Sequence, residues 1–103
     1  MMKRSLLART LAFLGLSHVQ AAPVMLVIRD TDFSPMTLTV PVGTTVTWRN
    51  IDDAPHTVTS TDGLFRSKAL SENGTFSFKF SKQGTFEYVC SIDPKMVATI
   101  VVK

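Results

Sequence analysis

Alternation of apolar and polar residues at every second position is the feature that most limits what this sequence can fold into. Phenylalanine alternates with Ser77 and Lys79 in residues 76–80, and Val46 and Trp48 alternate with threonine and arginine in residues 44–49. This period in β-branched and aromatic residues is typical of strands with one buried face. Similar runs, separated by Gly, Pro, Asn and Asp, occupy residues 24–29, 37–40, 56–59, 86–90 and 97–102, the last being apolar on both faces. The sequence therefore predicts an all-β fold, an antiparallel Greek-key β-sandwich of about seven strands.

The first 21 residues have the pattern of a secretory signal peptide. Residues 1–9 contain three basic residues and no acidic one, and residues 6–16 are mostly apolar but too short to span a bilayer. A small-residue pattern follows and ends at Ala21. We expect cleavage after Ala21, which would leave one domain at residues 22–103 in the periplasm, with no stable membrane insertion. The alternative interpretation of this segment is a core helix or a membrane anchor.

Removal of this leader changes the charge balance. The whole chain has 11 basic and 8 acidic residues and a net charge of +3, whereas residues 22–103 hold eight of each. A near-neutral domain offers no basic surface for nucleic acid, so no nucleic-acid partner is expected. The three phenylalanines of residues 76–80 are accordingly interpreted as core rather than as a platform for stacked bases.

The single cysteine, Cys90, demands an explanation in an exported protein. A domain of about 80 residues buries roughly 60–65% of its unfolded surface and is marginally stable without further help. One cysteine cannot form an intrachain disulfide, and a metal ion is another way to tie a small fold together. We therefore consider Cys90 as a metal ligand.

Two segments carry the side chains that could hold such a metal. One contains His56, the only histidine after Ala21, and the other runs from Cys90 through Asp93 to Met96. Copper that cycles between Cu(I) and Cu(II) favours a thiolate and an imidazole with a weak thioether. Taken singly, each residue has a plainer interpretation: a turn histidine, a buried inert thiol, a turn aspartate and a core methionine, a role also assigned to Met25 and Met36.

From residue 33 to its end, the chain resembles the cupredoxins, and it is most similar to the group of amicyanin, pseudoazurin and plastocyanin. The matching motifs are Phe33-Ser34-Pro35, Val42-Gly43-Thr44, Val46-Thr47-Trp48-Arg49-Asn50, Pro55-His56-Thr57-Val58, Gly84-Thr85-Phe86-Glu87-Tyr88-Val89-Cys90 and Asp93-Pro94-Lys95-Met96. The resemblance implies a cupredoxin-like domain at residues 22–103 that binds one copper ion through His56, Cys90 and Met96. It also implies that Asn50 braces the cysteine loop through hydrogen bonds, with Ser91 as the expected partner.

Asp93 departs from the family pattern, which has a second histidine ligand at this position. The Oδ1 atom of aspartate is three bonds from Cα, as is the Nδ1 atom of histidine, so the carboxylate can reach nearly the same point. Its negative charge would favour Cu(II), lower the reduction potential and alter the colour of the site. Asp93 and Lys95 also make polar a surface that is apolar in the family, so fast exchange with the usual redox partners is not expected.

The leading functional hypothesis is a monomeric periplasmic protein that carries one electron between redox partner proteins. The alternatives are a copper buffer or delivery protein and a degenerate domain without a working redox site. An enzyme is not expected, because the small chain offers neither a substrate pocket nor an oxyanion site. A zinc site is disfavoured, since thioether ligands are unusual for zinc.

Overall fold

The computed structural model describes residues 21–103, which form eight strands in two sheets of four. The strands are β1 Val24–Arg29, β2 Asp32–Ser34, β3 Thr37–Val40, β4 Thr44–Asn50, β5 Thr59–Ser60, β6 Thr75–Phe80, β7 Gly84–Val89 and β8 Val97–Val102. The all-β sandwich predicted from the alternation is confirmed. The expected signal peptide lies outside the described residues, except for Ala21. Within residues 21–103, no helix has the length and apolar character needed to cross a membrane.

One sheet has the strand order β2-β1-β4-β6 and the other has the order β3-β8-β7-β5. Four of the six strand pairs are antiparallel, whereas β1 pairs with β4 and β3 pairs with β8 in parallel. The parallel pairs arise because the chain passes from β2 to β3 in the opposite sheet before it returns as β4. The sequence prediction of an antiparallel sandwich did not include these two parallel pairs.

The core lies between the two sheets and is built around Trp48, which is completely buried. Its ring centroid is 5.4 Å from that of Tyr88, 5.7 Å from that of Phe65 and 5.8 Å from that of Phe76. Aromatic pairs at such distances add to the free energy gained from burying their area. This aromatic cluster gives the sandwich a stiff interior from which the loops at its ends extend.

The strand expected at residues 56–59 is much shorter in the structure, where β5 covers only Thr59–Ser60. His56 instead forms an isolated antiparallel bridge with Leu70, in which Leu70 N donates to His56 O at 2.7 Å and His56 N donates to Leu70 O at 3.2 Å. The next amide, that of Thr57, donates to the sulfur of Cys90 rather than to a strand. Residues 56–58 are buried one after another in a loop, rather than alternately as in a strand with one buried face.

The assignment of Met25 and Met36 to the core is wrong, because each is 57% exposed. Met25 lies between inward-facing positions of β1, and Met36 lies in the connection from β2 to β3. In β8, Ala98, Ile100 and Val102 are buried while Val97 is exposed, so this strand buries one face only.

Candidate metal centre

The residues of the expected site meet where several strands end together. In the parallel pair of β1 and β4, Ile28 lies opposite Asn50, so both strands finish at the same edge. The loop after β4 contains His56. In the other sheet Val89 lies opposite Val97, and the loop between β7 and β8 contains residues 90–96. The loop that contains His56 leads into β5, and β5 pairs with β7 so that Thr59 lies opposite Val89, which brings the two loops against each other.

His56 and Cys90 are in direct contact at this end of the sandwich. The Nδ1 atom of His56 lies 3.7 Å from the Sγ atom of Cys90, although 34 positions separate the residues in sequence. Both are buried, with 3% of His56 and none of Cys90 exposed. A nitrogen donor and a sulfur donor thus face each other in a protected place.

Their separation fits two ligands of one ion. Nitrogen and sulfur ligands bind a first-row ion such as zinc at about 2.0 Å and about 2.3 Å. With an angle of about 120° at the ion, as in trigonal copper sites, the two donor atoms lie about 3.7 Å apart. The observed distance of 3.7 Å is therefore compatible with both atoms binding one ion.

The surroundings of Cys90 favour its thiolate form. Burial raises the pKa of the Cys90 thiol, but the backbone N–H of Thr57 and the imidazole of His56 lower it by more, with help from the N–H groups of Asp93 and Ile92. The N–H of Thr57 lies 3.4 Å from the sulfur. The net pKa is below the ordinary value of 9.0. Because the thiolate is the form that binds metal, these contacts prepare Cys90 as a ligand.

The loop after Cys90 is closed by two backbone hydrogen bonds that place Met96. Cys90 N donates to Met96 O at 3.1 Å, and Met96 N donates to Asp93 O at 2.9 Å. Met96 is 3% exposed and belongs to the same buried cluster as Cys90. A buried thioether on the loop that follows Cys90 is a candidate for the weak ligand of a copper ion.

Asp93 is partly buried in the same loop, but its carboxylate is not gathered with the other candidate ligands. Within residues 21–103, no three side chains of His, Cys, Asp or Glu form a group that could hold a metal ion. The structure thus brings His56 and Cys90 together and buries Met96 beside them. It leaves Asp93 close by in the sequence of the loop without joining it to that pair.

Asn50 braces a different loop from the one expected. Its Nδ2 donates to the carbonyl oxygens of Ala54 at 2.9 Å and Leu70 at 2.8 Å, and its Oδ1 accepts the N–H of Asp52 at 2.9 Å. Among the described residues, Ser91 bonds to Thr57 and not to Asn50. The reason is positional: at the end of β4, Asn50 begins the loop that contains His56, and its short side chain reaches that loop's backbone and the carbonyl of Leu70, which is bridged to His56.

Two residues of this site were not identified from the sequence. Thr57 bonds to both Cys90 and Ser91, and it thereby connects the histidine loop to the cysteine loop. Asp52 contacts the second nitrogen of His56, with Oδ2 and Nε2 2.9 Å apart. For Asp52, the sequence did offer an indication, because a carboxylate four positions before a candidate histidine ligand can bond to its ring. Nothing in the sequence marked Thr57 beyond its place next to His56.

Comparisons with known proteins agree with the fold. Residues 4–102 match the family model of the cupredoxin-like domain. Amicyanin-alpha of Methylorubrum extorquens is 33% identical over 97 residues, which cover 86% of this chain and 82% of that protein. The purple cupredoxin from Nitrosopumilus maritimus has a TM-score of 0.72 and 33% identity over 78% of this chain and 99% of its own. A solved Cu(I) form of an amicyanin variant has a TM-score of 0.75 and 27% identity over 79% of this chain and 82% of its own.

Proposed function

The chain belongs to the cupredoxin-like domain family, and from that premise we propose that it is a copper protein that carries one electron at a time. The observation that carries the proposal is the 3.7 Å separation of His56 Nδ1 and Cys90 Sγ at one end of the sandwich. Bound copper would supply the one-electron couple. The residues that would hold it are His56, Cys90 and Met96, and Asp93 is a candidate for the fourth position.

The chain's own contribution is to fix these donors before any electron moves. Since His56 and Cys90 are buried and held by neighbouring backbone groups, a change in charge at the ion requires little movement of its ligands. Exclusion of water from the sulfur also limits oxidation of the thiolate. Both features suit an electron carrier better than a site that must open for a substrate.

We propose that exchange with redox partner proteins takes place over the surface of the cysteine loop. Ile92 is 53% exposed and Val97 is 38% exposed, which leaves apolar area beside this loop. Lys95 is also exposed, and Asp93 is partly so. This mixed surface favours brief, salt-sensitive encounters, in an exported and periplasmic setting consistent with the leader expected in residues 1–21.

Copper reconstitution followed by spectroscopy and voltammetry tests the proposal. An intense visible band from thiolate-to-Cu(II) charge transfer is expected, and it should disappear in Cys90→Ala. Reversible one-electron voltammetry is expected from a carrier. A coloured protein that does not return its electron would instead be a copper buffer, and a protein that binds no copper would be a degenerate member of the family.

The Asp93→His variant tests the fourth position. One added negative charge at about 2 Å from copper is worth about 2 kcal/mol in the dielectric of water, which corresponds to about 90 mV for a one-electron couple. If Asp93 binds the ion, its replacement by a neutral imidazole should raise the potential by at least that order and change the visible spectrum. Lys95→His, which places histidine at an exposed position of the same loop, is the matched control. An unchanged spectrum and potential in Asp93→His would remove Asp93 from the ligand set.

A further inference from the structure

The carboxylate of Asp52 is bonded from three directions. Its Oδ2 lies 2.9 Å from Nε2 of His56 and accepts the backbone N–H of Thr31 at 2.9 Å. Its Oδ1 accepts the backbone N–H of Asp30 at 2.7 Å. The side chain is 15% exposed, so these protein groups, rather than water, satisfy most of its capacity. Asp52 therefore holds a defined orientation behind the imidazole ring.

The two amides that bind Asp52 come from a turn with an unusual backbone. Asp30 and Thr31, which connect β1 and β2, have φ angles of 54° and 57°. This left-handed region is unfavourable for residues other than glycine, and especially for a β-branched residue such as Thr31. Consecutive N–H groups that point to one side form a concave site for an anion. The unfavourable backbone conformation of this turn directs both amides towards Asp52.

We propose that Asp52 is a positioning residue of the copper centre, which holds the proton of His56 on Nε2 so that the lone pair of Nδ1 faces Cys90. A metal-bound histidine commonly donates its other ring N–H to a carboxylate, which fixes the tautomer and makes the ring a stronger donor. A stronger donor stabilises Cu(II) more than Cu(I). Asp52 therefore lowers the reduction potential. The copper part of this inference rests on the proposed function, whereas the tautomer is a property of the protein itself.

Asp52→Asn is the variant that tests this role, because it keeps the shape and removes the charge. If the amide oxygen faces His56, the amide NH₂ faces the N–H of Asp30, and that bond is lost. If the group is turned, the NH₂ faces both the N–H of Thr31, whose bond is lost, and the ring nitrogen, which can accept from it only when the ring proton is on Nδ1. Asp53→Asn is the matched control, since Asp53 is exposed and carries the same charge one position away.

The first measurement uses ¹⁵N NMR of the copper-free protein at a pH where His56 is neutral. The unmodified protein and Asp53→Asn are expected to show the proton on Nε2, and Asp52→Asn is expected to show a substantial population with the proton on Nδ1. A proton on Nδ1 in the unmodified protein would overturn the proposal, and this reading needs neither a variant nor bound copper.

The second measurement compares copper affinities and potentials. Loss of such a partner costs about 10- to 100-fold in metal affinity. We expect Asp52→Asn to lose this factor for Cu(II) relative to Cu(I), which corresponds to a rise in potential of about 59 mV for each tenfold change. Asp53→Asn should stay close to the unmodified protein. Equal potentials in all three proteins would overturn the role of Asp52. Failure of the unmodified protein to bind copper would overturn the proposed function instead. The NMR measurement on the copper-free protein would still test whether the proton of His56 is on Nε2.

Discussion

Both ring nitrogens of His56 have a hydrogen-bonding partner, and these two contacts determine the direction of its pKa shift. Burial lowers the pKa of His56, but the hydrogen bonds with Cys90 and Asp52 raise it by more, so the pKa in the copper-free protein lies above 6.5. For Asp52, burial raises the pKa, while the amides of Thr31 and Asp30 and the ring of His56 lower it by more. The two groups therefore favour a charged pair when no metal competes for the ring.

The protonation of His56 gives a prediction with a definite sign. Because the folded-state pKa is raised, its contribution to stability is complete below about pH 6.5 and is lost as the pH rises through the folded pKa. The pKa of Cys90 is lowered, so its contribution to stability is complete above about pH 9 and is lost as the pH falls through its folded-state pKa. Because the two contributions change with pH in opposite directions, the titration of the His56 ring is a clearer measurement than the stability. We expect the NMR titration of His56 in the copper-free protein to have a midpoint above 6.5.

Asp52→Asn should move this midpoint downward, since it removes a partner that favours the imidazolium. Asp53→Asn should leave it nearly unchanged. A midpoint at or below 6.5 in the unmodified protein would contradict the prediction.

At the scale of single residues, the sequence indicated the pairing of His56 with Cys90 but not the partner of the ring's second nitrogen. Residue chemistry and the family resemblance together were enough to select the first pair. The role of Asp52 depends on the turn at Asp30 and Thr31, and although Asp30 indicated a turn, nothing in the sequence indicated that both residues adopt a left-handed backbone. A carboxylate four positions before a histidine in a loop has no fixed geometry until that turn is in place.

At the scale of elements, Thr57 is the link between the histidine loop and the cysteine loop. Its Oγ1 accepts the backbone N–H of Ser91 at 2.7 Å and lies 2.9 Å from the hydroxyl oxygen of Ser91. Its own N–H donates to the sulfur of Cys90. Since Thr57 is 6% exposed, these bonds are largely protected from water. Together with the pairing of β5 and β7, these bonds of Thr57 therefore fix the relative position of the two loops.

The Thr57→Val variant tests this link because it keeps the branched shape and removes the oxygen. The N–H of Ser91 loses its acceptor, and a hydrogen bond of this kind contributes about 0.5–1.5 kcal/mol. We expect the free energy of unfolding of the copper-free protein, measured in urea, to fall by about 1 kcal/mol. Copper affinity should fall as well, because the side-chain contacts between the two loops are lost while the bond from the Thr57 N–H to Cys90 remains.

The control is Ser91→Ala, which removes only the contact between the two hydroxyl groups and keeps the bond from the Ser91 amide. Its effect on stability should be smaller than that of Thr57→Val. The reverse order would mean that Thr57 does not connect the loops through its bond to the Ser91 amide.

The order of elements shows what hydrophobic alternation can and cannot predict. It located β1, β3, β4, β6, β7 and β8, because each of these strands buries alternate side chains. The alternation predicted a strand at residues 56–59, whereas β5 covers only Thr59–Ser60 and the residues around Val58 are buried in a loop. It also gave no information on the parallel pairs, since the crossover between sheets depends on packing of distant segments rather than on local pattern.

At the scale of the whole molecule, the site combines two segments that are far apart in the sequence. His56 lies in the loop that leads from β4 in one sheet to β5 in the other, and Cys90 follows β7, the strand that pairs with β5. An ion held by both loops would tie this crossing between the sheets to the cysteine loop. Because the unfolded chain lacks this arrangement, binding of the ion adds directly to the stability of the fold.

The last prediction follows from this coupling of binding to folding. Copper at 100 times its dissociation constant should stabilise the folded state by about 2.7 kcal/mol. In a domain of 60–100 residues, each kcal/mol raises the melting temperature by about 4–8 °C. Thermal unfolding with anaerobic Cu(I), followed by near-UV circular dichroism, should therefore show a rise of about 10–20 °C at that concentration. Cys90→Ala should lose most of this rise, while Asp53→Asn, which changes a charge away from the ligands, should keep it. An equal rise in Cys90→Ala would mean that copper binds somewhere other than between the two loops.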